Sequence, residues 1–415
     1  MSHQIVRRRS RVRGIGTLLL AGGLTLTACS TSKTSVDSSP GVTKDKITLG
    51  VLTDITGPFK AIDEQQNLGV KLYWDEKNRT GDTCGRKVEI ATRDHGYDPQ
   101  KALSLAGELN KDVLAYQVTV GSPPTSAVLP ELEEQKIIGV AMSWSPVLGA
   151  SDALIIPGTY YSVEMVGALD YLVEQGTVKS GDSVGHIYFA GDYGEPAFEG
   201  LKHSAGKNGV KVVGSQIDPS VTDVTSQVAA LQAKKVKAIF INASPTQLAS
   251  LASLTESKGL DVPIISSAPA FAPQLLETNA AKILEKRALV VSSVIPFSGD
   301  TPAAKKVAEL YGKSGSKVPA SMWVVLGYAA SSIMDQAITA ACEDDQVSRE
   351  GLWDSYQKLG KVDTDGATVA LDFSSNGETP SRSINVLRPS TSVKGGLDPV
   401  TEGFVGKNTE GYGSK

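Results

Sequence analysis

Apolar and polar positions alternate along this chain in a rhythm that separates strands from helices. β-rich apolar runs stand at Lys46–Asp54, Lys87–Arg93, Leu114–Gly121 and Ile137–Met142. Between them lie helical stretches. Asp63–Asn78 is one. Another opens at Asp98-Pro99, with Asp as N-cap and Pro at the first position. There Ala102, Leu105, Ala106 and Leu109 fall at i, i+3, i+4 and i+7 and form one stripe. The second half repeats the pattern, with strands at Val184–Ala190, Val210–Gln216, Val236–Asn242, Val262–Ser267 and Ala288–Val294. Helices are predicted at Gly194–Asn208, after Asp223, and from Pro245, Pro302 and Pro319, the last running to about Cys342. Strands separated by single helices predict βαβ units and parallel sheets. Their number is too great for one compact sheet and predicts an α/β fold of two doubly wound, Rossmann-like lobes. Ala367–Phe373 and Ser383–Leu387 break the alternation and read as a hinge crossing and an edge strand. Ser390–Lys415, rich in Gly, Ser and Thr, is expected to be loosely ordered.

The first residues follow a different logic. Arg7, Arg8, Arg9, Arg11 and Arg13 precede an uncharged, leucine-rich run, Gly14–Thr27, and then Leu26-Thr27-Ala28-Cys29. A basic front, a short apolar run and small residues before a cut site read as a secretory signal peptide. The apolar run is shorter than the ~20 residues that a membrane span needs. Arg8-Arg9 leaves general secretion and twin-arginine export both open. The cysteine directly after the small residues resembles the bacterial lipobox, which implies that Cys29 is diacylated and becomes the new N-terminus. Two acyl chains would anchor the protein stably. Ser30–Val42, rich in Ser and Thr, then reads as a flexible tether.

Composition adds limits. The 415 residues are 40% hydrophobic and 21% charged, with net charge −4. No basic block follows the leader, which argues against a nucleic-acid partner. Besides Cys29 the cysteines are Cys84 and Cys342, a candidate disulfide in an oxidising compartment, the alternative being two separate buried thiols.

In an open parallel sheet, ligands bind beyond the carboxyl ends of the strands, so residues just after each strand are the candidates. Val118–Ala127 (VTVGSPPTSA) ends a strand and starts a helix. It places Ser122 at the N-cap and is expected to offer backbone N–H groups to an anion, or simply to cap the helix. After the next strand comes Ala141–Pro146, where Ser143 and Ser145 alternate with Trp144. In the second lobe Gly191–Glu195 presents Tyr193, either towards a cleft or as a surface turn residue. Ser244, Ala268 and Phe271 hold similar positions. Of the histidines, His3 leaves with the leader, while His95, His186 and His203 lack metal-like spacing. No nucleophile elbow, P-loop or dinucleotide fingerprint occurs. Enzymatic roles are therefore disfavoured, an extracellular hydrolase among them, and no catalytic residue, metal or cofactor is expected.

KITLGVLTDITGP, the Asp98-Pro99 helix start, GSPPTSA, Ile137–Pro146 and GDYGE occur in this order. As an ordered set they resemble the type I substrate-binding proteins of ABC importers, in the leucine/isoleucine/valine-binding branch. The resemblance covers about residues 45–390. It implies two lobes joined by three crossings, near Pro157–Tyr160, Ser292–Pro296 and Ala367–Phe373, that close on a small ligand. The organisation expected is a signal peptide at 1–28, a lipidated tether at 29–44, a first lobe at 45–157 and 296–367, a second lobe at 158–295 and 368–390, and a loose tail at 391–415. The resemblance further implies that Ser122 and Ser145 hold a ligand carboxylate, that Ser143 lends a backbone carbonyl and that Tyr193 reaches from the second lobe. Where amino-acid binders carry a glutamate for the ligand ammonium, this chain has Ala268. Two tyrosine positions of that pocket are Ile62 and Ser244. A buried ammonium without a carboxylate costs several kcal/mol, so an apolar or aromatic acid, or an amide, is expected rather than leucine, unless Asp192 or Glu195 takes the missing role. The implied partners are the small-molecule ligand, ABC permease subunits and a membrane reached through the lipid on Cys29, with the protein itself a monomer. A sensor lipoprotein of the same fold is the alternative.

Overall fold

The computed structural model describes residues 39–375 and 377–413. The expected leader, Cys29 and the expected tether as far as residue 38 lie outside the described residues, while 39–44 are described, Val42 pairing with Ile47 in an antiparallel bridge. Five strands form the first sheet: β1 (Lys46–Thr53), β2 (Lys87–Asp94), β3 (Ala115–Val120), β4 (Gly139–Met142) and β5 (Leu154–Ile155). Their order is β2-β1-β3-β4-β5 and every pairing is parallel. Each βα step is set locally. Asp98 accepts N–H bonds from Gln100 at 2.8 Å and Lys101 at 3.2 Å, and Pro99 presets the first turn. Residues of every central strand are buried on both faces, which is why these segments read as continuous apolar runs.

Helices α1 (Lys60–Thr80), α2 (Pro99–Leu109) and α3 (Ser122–Glu134) follow β1, β2 and β3. The second lobe begins with α4 (Tyr161–Glu174) and contains β6 (Ser183–Phe189), α5 (Gly194–Asn208), β7 (Lys211–Ile217), α6 (Thr225–Ala233) and β8 (Ile239–Asn242). It continues through α7 (Pro245–Ser257), β9 (Ile264–Ser267), α8 (Ala281–Arg287) and β10 (Ala288–Ser292). The chain then returns to the first lobe for α9 (Pro302–Ser314), α10 (Met322–Glu343) and α11 (Arg349–Tyr356). A short antiparallel ribbon, β11 (Lys361–Val362) with β12 (Leu371–Asp372), leads back to β13 (Ser383–Pro389) and β14 (Leu397–Val405). The second sheet runs β14-β13-β10-β9-β8-β6-β7.

The segment after residue 390 departs from the expectation of a loose tail. β14 pairs antiparallel with β13 from Ser383↔Val405 to Pro389↔Leu397 and forms the sheet edge. Its alternation is masked by Pro399, Gly403 and exposed polar residues, because only its inner edge needs a ladder and most of its side chains face solvent. At the helix starts, α6 opens at Thr225, where Asp223 accepts the Thr225 N–H at 2.8 Å, and α10 opens at Met322 with Ser321 as its cap.

Two constraints fix the first lobe around the cleft. α1 and α10 touch backbone to backbone at Gly69 and Gly327: a Cβ on Gly69 would lie 2.2 Å from the Val324 carbonyl oxygen, and one on Gly327 2.1 Å from that of Gln66. Asp335 of α10 then accepts bonds from Tyr73 and Lys77 of α1, both at 2.7 Å. At the far end of the same pair, Cys84 and Cys342 are joined as a disulfide with Cα atoms 5.9 Å apart. The bridge spans 258 residues of sequence. Closing so long a loop in the unfolded chain is worth on the order of 5 kcal/mol in the chain-entropy description. Reduction, or Cys84→Ser with Cys342→Ser, should therefore lower the melting temperature by about 6 °C; an unchanged melting curve would show that the bridge does not stabilise the fold.

Candidate functional site

Both sheets direct the carboxyl ends of their parallel strands at one cleft, and the loops there wall a narrow pocket with about 330 Å³ of empty space, its mouth open to solvent included. Six aromatic rings dominate it: Phe59, Tyr97, Trp144, Tyr161, Tyr193 and Trp323. Ile62, Val120, Met142 and Pro269 add apolar surface. The polar side chains of the wall, apart from the tyrosine and tryptophan tips, are Ser122, Asp63 and Gln66, and none of the lining residues is Lys, Arg or His. Burial raises the Tyr97, Tyr161 and Tyr193 phenols well above their ordinary range, so they stay neutral.

The lobes meet across this cavity. Phe59 stands edge-on to Tyr193, with ring centres 6.1 Å apart. Ser126 of α3 donates to Asp192 at 2.7 Å, and Gln65 of α1 donates to Gln274 at 3.2 Å. The Trp323 indole N–H donates to the Phe271 carbonyl at 3.1 Å. Behind the cavity three strands of chain cross between the lobes. Ser293 links them: its hydroxyl accepts the Thr159 N–H at 2.8 Å, and its carbonyl accepts that of Val369 at 2.8 Å. Val294 and Thr368 form an antiparallel bridge beside it.

Among known proteins, the family model described as periplasmic binding protein matches residues 46–394. The chain belongs to the periplasmic binding protein family. Its members are solute-binding proteins, not enzymes, and this one is of the type I, Leu/Ile/Val-binding kind. A fatty acid ABC transporter substrate-binding protein from Thermomonospora curvata is 37% identical, with TM-score 0.89, over 92% of this chain and 97% of that one. A branched-chain amino acid ABC transporter protein from Thermus thermophilus, solved with valine, shares the fold at 19% identity and TM-score 0.78, over 89% of this chain and 99% of its own. The Leu/Ile/Val-binding protein BraC3 of Rhizobium johnstonii is 29% identical over 113 residues. That match spans 27% of this chain and about a quarter (27%) of the relative's length.

In this periplasmic binding protein the residues singled out in the sequence have separate fates. Ser122, Trp144, Tyr193 and Ile62 line the cavity. Ser143 lies behind Ser122, with their hydroxyls in a short hydrogen bond. Ser145 is fully buried next to this pair in sequence; its Oγ has no partner among the described residues, and its carbonyl accepts the Leu148 N–H at 3.1 Å. Ser244 and Ala268 are buried but outside the wall. Ser244 is occupied in a capping box with Gln247 at the start of α7, and Pro269 takes the place beside Ala268. The N-cap of α3 is Gly121, at φ +80°, with Ser122 as the first helical residue. Pro123 and Pro124 carry no N–H, so Ser122 alone among the first three positions can present a backbone donor, fewer than the sequence reading assumed. Asp63, Gln66, Tyr97, Tyr161, Met142 and Trp323 were not singled out in the sequence. All but Met142 stand in helices or turns whose inward direction only the packing of α1 on α10, and of one lobe on the other, determines.

Two buried ionisable groups flank the cleft without lining it. Burial holds His95 at about 4, so it is neutral, and its Nδ1 accepts the Tyr97 N–H at 3.0 Å as part of a turn. Glu164, in the first turn of α4, receives the Ser293 hydroxyl at 3.2 Å on one oxygen, while the other has no partner among the described residues. Burial pushes its carboxyl up to about 8. A carboxyl raised in the folded state keeps its proton while the unfolded chain has lost it, so stability falls as pH rises from about 4.3 to about 8, at up to ~1.4 kcal/mol per pH unit. Glu164→Gln should remove that slope, raising the melting temperature at pH 8 more than at pH 5. Equal shifts at both pH values would show that Glu164 is ionised in the folded protein.

Proposed function

We propose that this chain is the solute receptor of an ABC importer, that a lipid on Cys29 holds it at the outer face of a membrane, and that its ligand is an apolar monocarboxylate. The observation that carries the ligand class is the cavity wall. It is mostly aromatic and aliphatic, it has no cationic side chain, and its one serine, Ser122, backed by Ser143, lies at the start of α3. An apolar tail would bury against the rings at roughly 25 cal/mol per Å². The carboxylate would lie at Ser122, where a hydroxyl, one backbone N–H and the positive end of α3 converge. The position at which amino-acid binders of this kind keep a glutamate is Ala268, which offers an ammonium nothing. The relative from Thermomonospora curvata, described as a fatty acid binder, is similar enough along its whole length to support the same direction. The relatives at 18–20% identity support the fold alone.

The ligand reading is tested by calorimetry with straight-chain and aromatic monocarboxylates set against leucine and valine. Monocarboxylates should bind, and Ser122→Ala should weaken them about 10- to 100-fold, the usual worth of a hydrogen bond to a charged group. Tight binding of leucine, with Ser122→Ala unchanged for the acids, would contradict it. The anchor is tested separately. Cys29→Ser should release the protein from the membrane fraction into the soluble exported fraction, and unchanged membrane association would refute lipidation at that residue.

A further inference from the structure

The wall holds one ionisable group that the carboxylate reading leaves without a task. Asp63 stands in the first turn of α1, fully buried. Its Oδ2 accepts the Asp54 N–H at 2.8 Å. Its Oδ1 has no partner among the described residues, and the side chain lines the cavity. Gln66, one turn further along α1, also lines the cavity with an unpartnered Oε1, and its carboxamide can turn either face to a neighbour. A buried, unsatisfied carboxyl oxygen is destabilising unless something fills the gap.

Building on the ligand reading above, we propose that Asp63 is a specificity-determining head-group contact: its Oδ1 carries a proton and donates it in a hydrogen bond to a carboxylate oxygen of the ligand. The pocket would thus hold an anion with a neutral acid where other anion sites use Lys or Arg.

The surroundings favour the protonated form. Burial is the largest influence and raises the carboxyl well above its usual range; the nearby charge of Asp54 adds to it, against the Asp54 N–H and the Thr53 hydroxyl. Asp54 itself is fixed by accepting the Gly57 N–H at 2.5 Å and the Phe59 N–H at 2.9 Å. Asp94, at the end of β2, is the other acid on this side, and it accepts the Ile55 N–H at 3.0 Å and the Thr56 hydroxyl at 2.7 Å. The remaining ionisable groups in the wall are Tyr97 and, across the cleft, Tyr161 and Tyr193, all held neutral by burial. The nearby lysines face away: Lys60 lies 3.8 Å from Glu64 and Lys101 3.8 Å from Asp94, both on the surface. With Oδ2 already accepting a backbone N–H, Oδ1 is the oxygen left to carry the proton, on a side chain that lines the cavity. An ionised Asp63 would instead set two like charges side by side in a dry site.

The test is calorimetry with octanoate, octanamide and octylamine between pH 6 and pH 9, on the wild type, Asp63→Asn and Asp63→Leu. The probe's carboxyl titrates near that of a glutamate, about 4.3, and stays ionised throughout. Wild-type affinity for octanoate should be full at the acid end, and any alkaline decline, by up to tenfold per pH unit, should follow loss of the Asp63 proton. Asp63→Asn keeps an acceptor for the Asp54 N–H and gains a permanent N–H donor. It should bind octanoate within a few-fold of wild type, with the alkaline decline reduced. Glu164, which also titrates in this window, is unchanged in that variant, so the difference between the two profiles belongs to Asp63. Asp63→Leu, with an unaltered circular dichroism spectrum, should lose tenfold or more. Octylamine binding to wild type that disappears in Asp63→Asn would overturn the proposal, because Asp63 would then be an ionised partner for a cation. Octanoate bound by Asp63→Leu as tightly as by wild type would also overturn it while leaving the monocarboxylate reading intact. A wild type that binds octylamine or leucine but no octanoate would overturn both.

Discussion

A charged group taken out of water must find compensating partners, and in this cleft an anion would have to find them in dipoles rather than cations. None of the residues around the cavity is Lys, Arg or His. What replaces a cation is a set of small dipoles: the Ser122 and Ser143 hydroxyls, the first turn of α3 and, on the reading above, a protonated acid. Such donors work only if water is kept out, because a dry surrounding strengthens each hydrogen bond and penalises each one left unmade. The aromatic wall and the contacts between the lobes would supply that exclusion around a bound ligand. The same burial that makes neutral donors effective raises the carboxyls of Asp63 and Glu164.

The fold brings these parts together by polarity. Parallel strands end on one side of each sheet, so loops from β1, β3, β4, β6 and β9 converge without any one of them being long. α1 and α10 both send residues into the cavity, and the close backbone approach at Gly69 and Gly327 sets their spacing there. Ile62, Asp63 and Gln66 are thereby held against Trp323. The three crossings, joined through Ser293, form the corner about which the lobes would open, as in hinge-closing binding proteins. The contacts Ser126–Asp192, Gln65–Gln274 and Trp323–Phe271 would break in such a motion, while those at Ser293 would persist.

The sequence made the architecture legible because alternation of buried strands with single helices is a strong signal, and Asp98-Pro99 and Ser244-Pro245 mark helix starts by chemistry that needs no tertiary context. It also led to Ser122, Trp144 and Tyr193, since loops after parallel strands are where such folds place their ligands. It misplaced the end of the chain: β14 carries Pro399 and Gly403, which an edge strand tolerates and an isolated reading takes for loop. It overestimated the donors at α3, where the two prolines shape the turn but bring no N–H groups. Asp63 was passed over because an acid in a first helical turn is ordinarily a solvent-facing partner of the helix dipole. Only the packing of α1 against α10 and the turn at Asp54–Phe59 shows that this one is buried with an oxygen free.

The central claim is that this pocket holds an apolar chain by its rings and an anionic head by neutral donors of the first lobe. A crystal structure of the exported domain with a bound straight-chain carboxylate tests it most directly. The carboxylate should lie within hydrogen-bond distance of the Ser122 hydroxyl at the start of α3, with the chain running between Trp144, Tyr161 and Trp323. A head group bound to the second lobe, or neutralised by a lysine or arginine drawn into the cleft, would contradict the account.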